Sequence, residues 1–307
     1  MKIEHIGPAA RSRHGWLGTV AGVALTMTAC YGQVSDDYDA TEDALGVVPQ
    51  AIRSGTPGGN SGAVELKLLS SNPGESSLCS GVLIGTHMVL TAAHCLDGAL
   101  GSAKEGSVKG RIQYARSGGT SWSCMTGAPS DDKCWHDANL YAYRLQEGWN
   151  AMNDLAAVFP QKLGGSYSNV SSSDAAQGLY DGGLSSSEPY TFWGRGYEHW
   201  KGTGSGIMRF MNDRLNWVSA PYFITDADGV RVCEGDSGGP YYLRDTEWLF
   251  GVSSNMEISS ECAEVGGKVR GTRLLGRLDT INLWRSWENV AACKQHSDDF
   301  PHFWLCN

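Results

Sequence analysis

The stretch VRVCEGDSGGPYYL, residues 230–243, packs Gly235, Gly238 and Gly239 around an acid and a serine, Asp236 and Ser237, and then closes on Pro240. A serine hydroxyl is a weak nucleophile. To react, it needs a base within hydrogen-bond reach, a group that orients the base, and donors for the negative oxygen that forms. Neighbouring glycines let the backbone bend tightly and let a substrate carbonyl approach N–H groups, here those of Gly235 and Ser237. A plain Gly-Ser turn is common, but the full string 235–240 asks for more. The search therefore widens to residues that could serve Ser237, and to Arg231, six positions upstream.

The chain has 307 residues, enough for one large domain or two small ones, either with a real core. Glycine is abundant at 40 residues, and charged residues make up 19% against a usual ~25%. Many turns and few charges suit a β-rich exported protein. The net charge is −9, with neither a basic cluster nor interleaved basic and aromatic residues, which argues against a nucleic-acid partner.

Lys2, Arg11 and Arg13 precede GWLGTVAGVALTMTAC, residues 15–30. An apolar stretch of about 15 residues is too short to span a bilayer and fits an export signal. Its end, Met27-Thr28-Ala29-Cys30, supports two readings. Cys30 is acylated as in a bacterial lipoprotein and anchors the chain to a membrane, or cleavage falls near Ala29 and Cys30 is incidental. Either way residues 1–30 read as a signal peptide. The protein is expected to be secreted or held in the cell envelope: extracellular, periplasmic or an outer-membrane lipoprotein. Without Cys30 eight cysteines remain, Cys79, Cys95, Cys124, Cys134, Cys233, Cys262, Cys293 and Cys306. An even number in an exported chain argues for disulfides. No Cys-x-x-Cys pair or His/Cys cluster has zinc spacing, so no metal is expected, and no other cofactor.

Residues 31–51 are acidic and aperiodic, a linker or propeptide. From AVELKLL (63–69) onward, short apolar runs alternate with Gly, Ser and Asn. SGVLIGTHMVLTAAHC (80–95) reads as two strands joined at Gly85-Thr86, then a helical turn with His94. NDLAAVF (153–159) is a short buried run that starts at an acid. Residues 161–188 are rich in Gly and Ser and separate two halves. PYYLRDTEWLFGVSS (240–254) reads as a hairpin around Arg244-Asp245-Thr246. One segment has helical spacing, residues 279–293, with Asp279 or Thr280 as N-cap and Ile281, Trp284, Trp287, Glu288 and Ala291 on the three/four spacing. Residues 226–229, Asp-Ala-Asp-Gly, read as a solvated turn rather than a calcium loop. Residues 294–307 read as a polar tail. Many short strands and one terminal helix suggest barrels or a sandwich.

Residues 235–239 also satisfy G-x-S-x-G, the serine elbow of α/β hydrolases, which needs a helix after the serine. Pro240 and a hairpin follow instead. The stronger likeness is to the trypsin/chymotrypsin family of serine peptidases. TAAHC (91–95), NDLA (153–156) and GDSGGP (235–240), in that order, resemble that family over about residues 52–290.

The resemblance implies an all-β fold of two packed antiparallel six-stranded β-barrels with a C-terminal α-helix. Barrel one would span about 52–160, barrel two about 189–278 and the helix 279–293. GRGYEHWKGTGSGIMRF (194–210) resembles, more weakly, the glycine-containing strand that opens barrel two. The activity implied is a serine endopeptidase acting on protein or peptide substrates. In it Ser237 is the nucleophile, His94 the general base and then acid, Asp154 the orienting acid, and Gly235 and Ser237 the oxyanion donors. Cys79 would pair with Cys95 and Cys233 with Cys262. Short spacing favours Cys124–Cys134 and Cys293–Cys306. The family is made as zymogens, so an activating peptidase would cut after Ala51, and the new amine of Ile52 would pair with Asp236. Arg231 stands where trypsin-like members carry an acid, and with Ser254, Met256 and Val269 it would shape the substrate pocket. A cation there disfavours Lys or Arg at P1. Acidic P1 and small apolar P1 both stay open. A competing class is a non-catalytic binding module on the same fold, which usually lacks a triad residue; all three are present here.

Overall fold

A computed structural model describes residues 56–57, 62–72, 75–85, 87–115, 122–124, 139–145, 153–160, 176, 178–194, 208–226, 232–256 and 268–306. A short strand, β1 (Thr56–Pro57), leads into β2 (Ala63–Leu69), β3 (Ser76–Ile84), β4 (Met88–Thr91), β5 (Glu105–Ala115), β6 (Trp122–Cys124), β7 (Asn139–Arg144) and β8 (Ala156–Pro160). Hydrogen bonding runs β2-β3-β4-β8-β7-β5, and β5 pairs back onto β2. This closes an antiparallel barrel of six strands, to which β6 adds beside β5.

Alternation decides which side chains fill it. Val64, Leu66 and Leu68 of β2, Leu83, Val89, Val108, Ile112, Leu140, Ala142, Ala156 and Val158 form one buried core. Their neighbours in sequence, Val82, Ile84, Met88, Leu90, Ala157 and Phe159, point the other way and are just as buried. Both faces of β3, β4 and β8 are thus covered, which is why those segments read as continuous apolar runs instead of alternating ones. What covers the outer face is Leu179, Tyr242, Leu249, Val252 and the helix residues Ile281 and Trp284.

The second sheet takes β9 (Gly178–Tyr180), β10 (Pro189–Gly194), β11 (Arg209–Arg214), β12 (Trp217–Val218), β13 (Tyr222–Asp226), β14 (Pro240–Leu243), β15 (Trp248–Met256) and β16 (Lys268–Arg273). Its order is β1-β11-β10-β14-β15-β16-β13-β12. Only Leu215 and Asn216 separate β11 from β12. The two are halves of one bent strand, the first paired with β10 and the second with β13, and through that bend a second six-stranded ring closes. Aromatic rings fill it: Tyr190, Phe192, Phe223, Tyr241 and Phe250. The barrel therefore opens with β10, upstream of the 194–210 segment that the sequence suggested. Residues 195–207 lie outside the described residues.

The terminal helix is shorter than its apolar spacing implied. It spans Leu278–Trp287, begins one residue early behind Arg277, and stops at Glu288 instead of running to 293. The cause is Asn289, which adopts φ 56. Its N–H donates to the Ser286 carbonyl at 3.1 Å and the Val290 N–H to that of Arg285 at 2.8 Å, so the last carbonyls are satisfied by the turn and the helix cannot continue.

Residues 294–305 are not a loose tail either. They form a hairpin, β17 (Lys294–Ser297) and β18 (Phe300–Leu305), stapled by Cys293–Cys306. β18 pairs with β9, which in turn lies parallel to β15. The Gly/Ser-rich stretch between the barrels therefore holds a strand at its downstream end.

Candidate active site

β4 and β8 are neighbours, with Thr91 opposite Ala156. The chain leaves β4 into a 3-10 turn, Ala93–Leu96, and enters β8 through residues 153–155. Two residues sixty positions apart thus emerge at one end of adjacent strands. His94 Nδ1 stands 2.8 Å from Asp154 Oδ2, and the His94 backbone N–H donates to Asp154 Oδ1 at 2.9 Å. The Cys79–Cys95 disulfide ties the turn to β3.

From the second barrel, the Ser254 hydroxyl of β15 donates to Asp154 Oδ2 at 2.6 Å. Asp154 is fully buried, while His94 keeps 28% of its side chain exposed. Burial alone would raise the Asp154 pKa, but the His94 charge and the bonds from His94 and Ser254 outweigh it and hold the group below the ordinary carboxylate value. Burial pulls His94 down. Asp154, by charge and hydrogen bond, with a smaller push from Asp97, lifts it above 6.5. An ionised Asp154 can only accept, so Nδ1 carries the proton and Nε2 keeps the lone pair.

Ser237 lies in the turn between Cys233 and β14. Gly235 has φ 88 and Gly238 φ 81, a conformation that side-chain-bearing residues rarely adopt. A Cβ on Gly238 would run into Thr91 Oγ1, the Ser80 carbonyl and the Ala92 nitrogen. The glycines are needed because the serine turn of the second barrel is pressed against β3 and β4 of the first. β14, not a helix, follows the serine, which removes the α/β-hydrolase elbow reading.

Asp236 is buried, and its Oδ2 accepts the Cys233 N–H at 2.8 Å. Gly194 packs so closely on its carboxylate that a Cβ there would meet Oδ1. Ile52, the expected partner, lies outside the described residues, as do Cys30, Arg231, Cys134 and Cys262; of Cys124 and Met256 only the strand backbone is described. Cys233 is disulfide-bonded. Ser254, expected in the pocket, bonds Asp154. Val269, expected on a pocket wall, is 1% exposed in the core of the second barrel, so it offers a substrate almost no surface. Cys79, His94 and Cys95 bring potential metal-ligand atoms together, but the two sulfurs are bonded to each other and are not thiolates.

Sequence reasoning missed two neighbours of this site. Arg277 Nη2 donates to Asn153 Oδ1 at 2.6 Å, beside Asp154. Fully buried Arg144 bonds Asp97 Oδ1 at 2.6 Å and the Ala103 carbonyl at 2.7 Å, bracing the segment after His94. Neither Arg144 nor Arg277 stands in a motif of the sequence, so neither gave a local sign of this.

Two closed antiparallel barrels, a His–Asp pair on one and a glycine-bound serine turn on the other, define the chymotrypsin-like class of fold. The trypsin family model matches residues 55–122, the first part of barrel one, and over that stretch the chain is similar to that family. Among solved structures it is similar to HL collagenase, with 18% identity over 76% of this chain and 99% of that one and a TM-score of 0.50. It is also similar to a scabies mite inactivated protease paralogue, with 17% identity, 78% and 100% coverage and a TM-score of 0.51. A Glu endopeptidase matches with 13% identity, 78% and 99% coverage and a TM-score of 0.54. At these identities the likeness is one of fold. No curated protein matches the sequence significantly.

Proposed function

We propose that the protein is a serine endopeptidase. The observation that carries this is the His94–Asp154 pair, oriented by two bonds from His94 and one from Ser254. In the proposed reaction His94 Nε2 takes the Ser237 proton as Oγ bonds to the scissile carbonyl carbon. The N–H groups of Gly235 and Ser237 receive the negative oxygen. The C–N bond then breaks, with the proton passing from His94 to the leaving amine, and water releases the acyl group by the same steps in reverse order. Asp154 holds the imidazole tautomer and its positive form throughout.

The chain is proposed to be exported by residues 1–30, with or without a lipid on Cys30, and activated by a peptidase that frees Ile52 to pair with Asp236. Arg231 is proposed to exclude basic P1 residues. Two like charges ~4 Å apart repel by ~4 kcal/mol at an effective dielectric of ~20, and ~1.4 kcal/mol already means tenfold in rate.

The test is labelling of the processed protein by a fluorophosphonate, with peptide cleavage in parallel. Labelling on Ser237, and loss of both labelling and cleavage in Ser237→Ala, is expected. Absence of both in the processed wild type would favour a binding module instead. A chromogenic set varied at P1 tests specificity: fastest turnover of Lys or Arg would overturn the Arg231 argument.

A further inference from the structure

Ser80 lies on β3 of the first barrel, next to Cys79, and is fully buried. Its backbone N–H donates to the Ser237 carbonyl at 2.8 Å, and its hydroxyl to the Gly235 carbonyl at 2.9 Å. One residue of the opposite barrel thus holds the carbonyls on both sides of Asp236. Its own carbonyl accepts the Thr91 hydroxyl at 2.8 Å, which fixes Ser80 to β4.

The second barrel holds the same turn through other atoms. Asp236 N–H donates to the Cys233 carbonyl at 3.1 Å, Gly239 N–H to that of Asp236 at 3.0 Å, and Gly238 N–H to that of Ser253 at 2.7 Å. These leave the Gly235 carbonyl to Ser80. Gly235, at φ 88 and without a side chain, is the pivot of the turn. Rotation of the peptide that follows it would turn the Gly235 carbonyl and the Asp236 N–H together and drag on the two flanking peptides, which carry the Gly235 and Ser237 N–H groups. The Ser80 hydroxyl opposes that rotation from outside the barrel that carries the serine.

We propose that Ser80 is a positioning residue for the oxyanion donors. It aligns the Gly235 and Ser237 N–H groups by holding the Gly235 carbonyl across the seam between the barrels. This rests on the peptidase reading and deepens it. The effect falls on the state in which the carbonyl oxygen is negative, so it is felt in turnover and not in substrate binding.

The experiment compares wild type, Ser80→Ala and Ser80→Thr in the processed protein. It measures kcat and KM on a peptide substrate, the inhibition constant of a peptide boronate that mimics the tetrahedral state, and the melting midpoint. Ser80→Ala keeps the backbone bond to Ser237 and removes only the hydroxyl. It is expected to lower kcat by about tenfold, with KM unchanged and boronate binding weakened in step. Ser80→Thr, which keeps the hydroxyl, should restore both. An active wild type with kcat within twofold in Ser80→Ala overturns the role of Ser80 alone. So does a loss shared equally by KM, boronate binding and melting, which would mark a merely structural contact. A processed wild type that neither cleaves nor binds the boronate refutes the peptidase reading, and the role of Ser80 with it.

Discussion

Asp154→Asn tests the hydrogen-bond inventory at the buried carboxylate. Oδ1 accepts the His94 backbone N–H, and Oδ2 accepts both His94 Nδ1–H and the Ser254 hydroxyl. An amide has one acceptor oxygen and one donor NH2. If its NH2 replaced Oδ1, it would face the backbone N–H of His94, donor against donor. The oxygen therefore takes that place, and the NH2 points at His94 Nδ1. The imidazole must then accept at Nδ1 and carry its proton on Nε2, where Ser237 needs a lone pair.

A wrong tautomer of this kind lowers kcat by about 10⁴-fold. The lost charge also acts on titration. In wild type Asp154 lifts His94 above 6.5, so kcat/KM, which needs neutral His94, falls as pH drops through a midpoint above 6.5. In the variant burial acts with only the push of Asp97 against it, and the midpoint of the residual activity moves down. Stability follows the same linkage. The raised His94 contributes fully below 6.5 and loses its contribution as pH rises through its folded value. The lowered Asp154 contributes above 3.8 and loses its contribution as pH falls below it. The stability gap between wild type and variant is therefore widest between 3.8 and 6.5. Steady-state kinetics from acid to neutral pH, with melting at each pH, reads all three. A variant that keeps kcat within about tenfold of wild type, or an acid limb that does not move, would refute the reasoning.

Gly238→Ala should cost at least the 1–3 kcal/mol or so of a strained backbone, because a positive φ and the clash with Thr91 and Ser80 act together. A lowered melting midpoint with loss of Ser237 labelling checks it. Replacing both Cys293 and Cys306 by Ala opens a loop of sequence separation 13 and should lower stability by about 3 kcal/mol, read by denaturant unfolding under oxidising conditions. N-terminal sequencing of fully active enzyme should begin at Ile52; an intact 31–52 segment in such a sample would contradict the activation scheme.

The His94–Asp154 contact and the tight turn at Ser237 were legible because their signals are local. Each of His94, Asp154 and Ser237 sits in a short string of small residues whose tight packing the string itself announces. The Gly85 turn and the hairpin after Pro240 were legible too, since turn residues declare themselves. Ser80 was not. Its role depends on a second barrel that begins far along the chain, and nothing next to it differs from an ordinary strand. Val269 was misplaced for a related reason: its register against β15 and β13 decides whether it faces a cleft or a core, and one residue of slip reverses the answer. The helix end was written in Asn289, a known stop, but the apolar spacing beyond it was the louder signal. The final hairpin looked like a tail because Lys294–Ser297 has no apolar face of its own; its partner, β9, lies in a stretch whose composition says only linker.

That last pairing has a consequence for the order in which the protein can be made. β9 is translated long before Phe300–Leu305, and until those residues arrive its outer edge at Gly178, Leu179 and Tyr180 has no strand beside it. An uncovered edge is an invitation to pair with another chain. A newly emerged polypeptide with both barrels complete is therefore still exposed to wrong partners, and safety comes with its final strand. Formation of the Cys293–Cys306 bridge then makes that closure hard to undo, so the step that ends the vulnerable period needs an oxidant as well as the last strand.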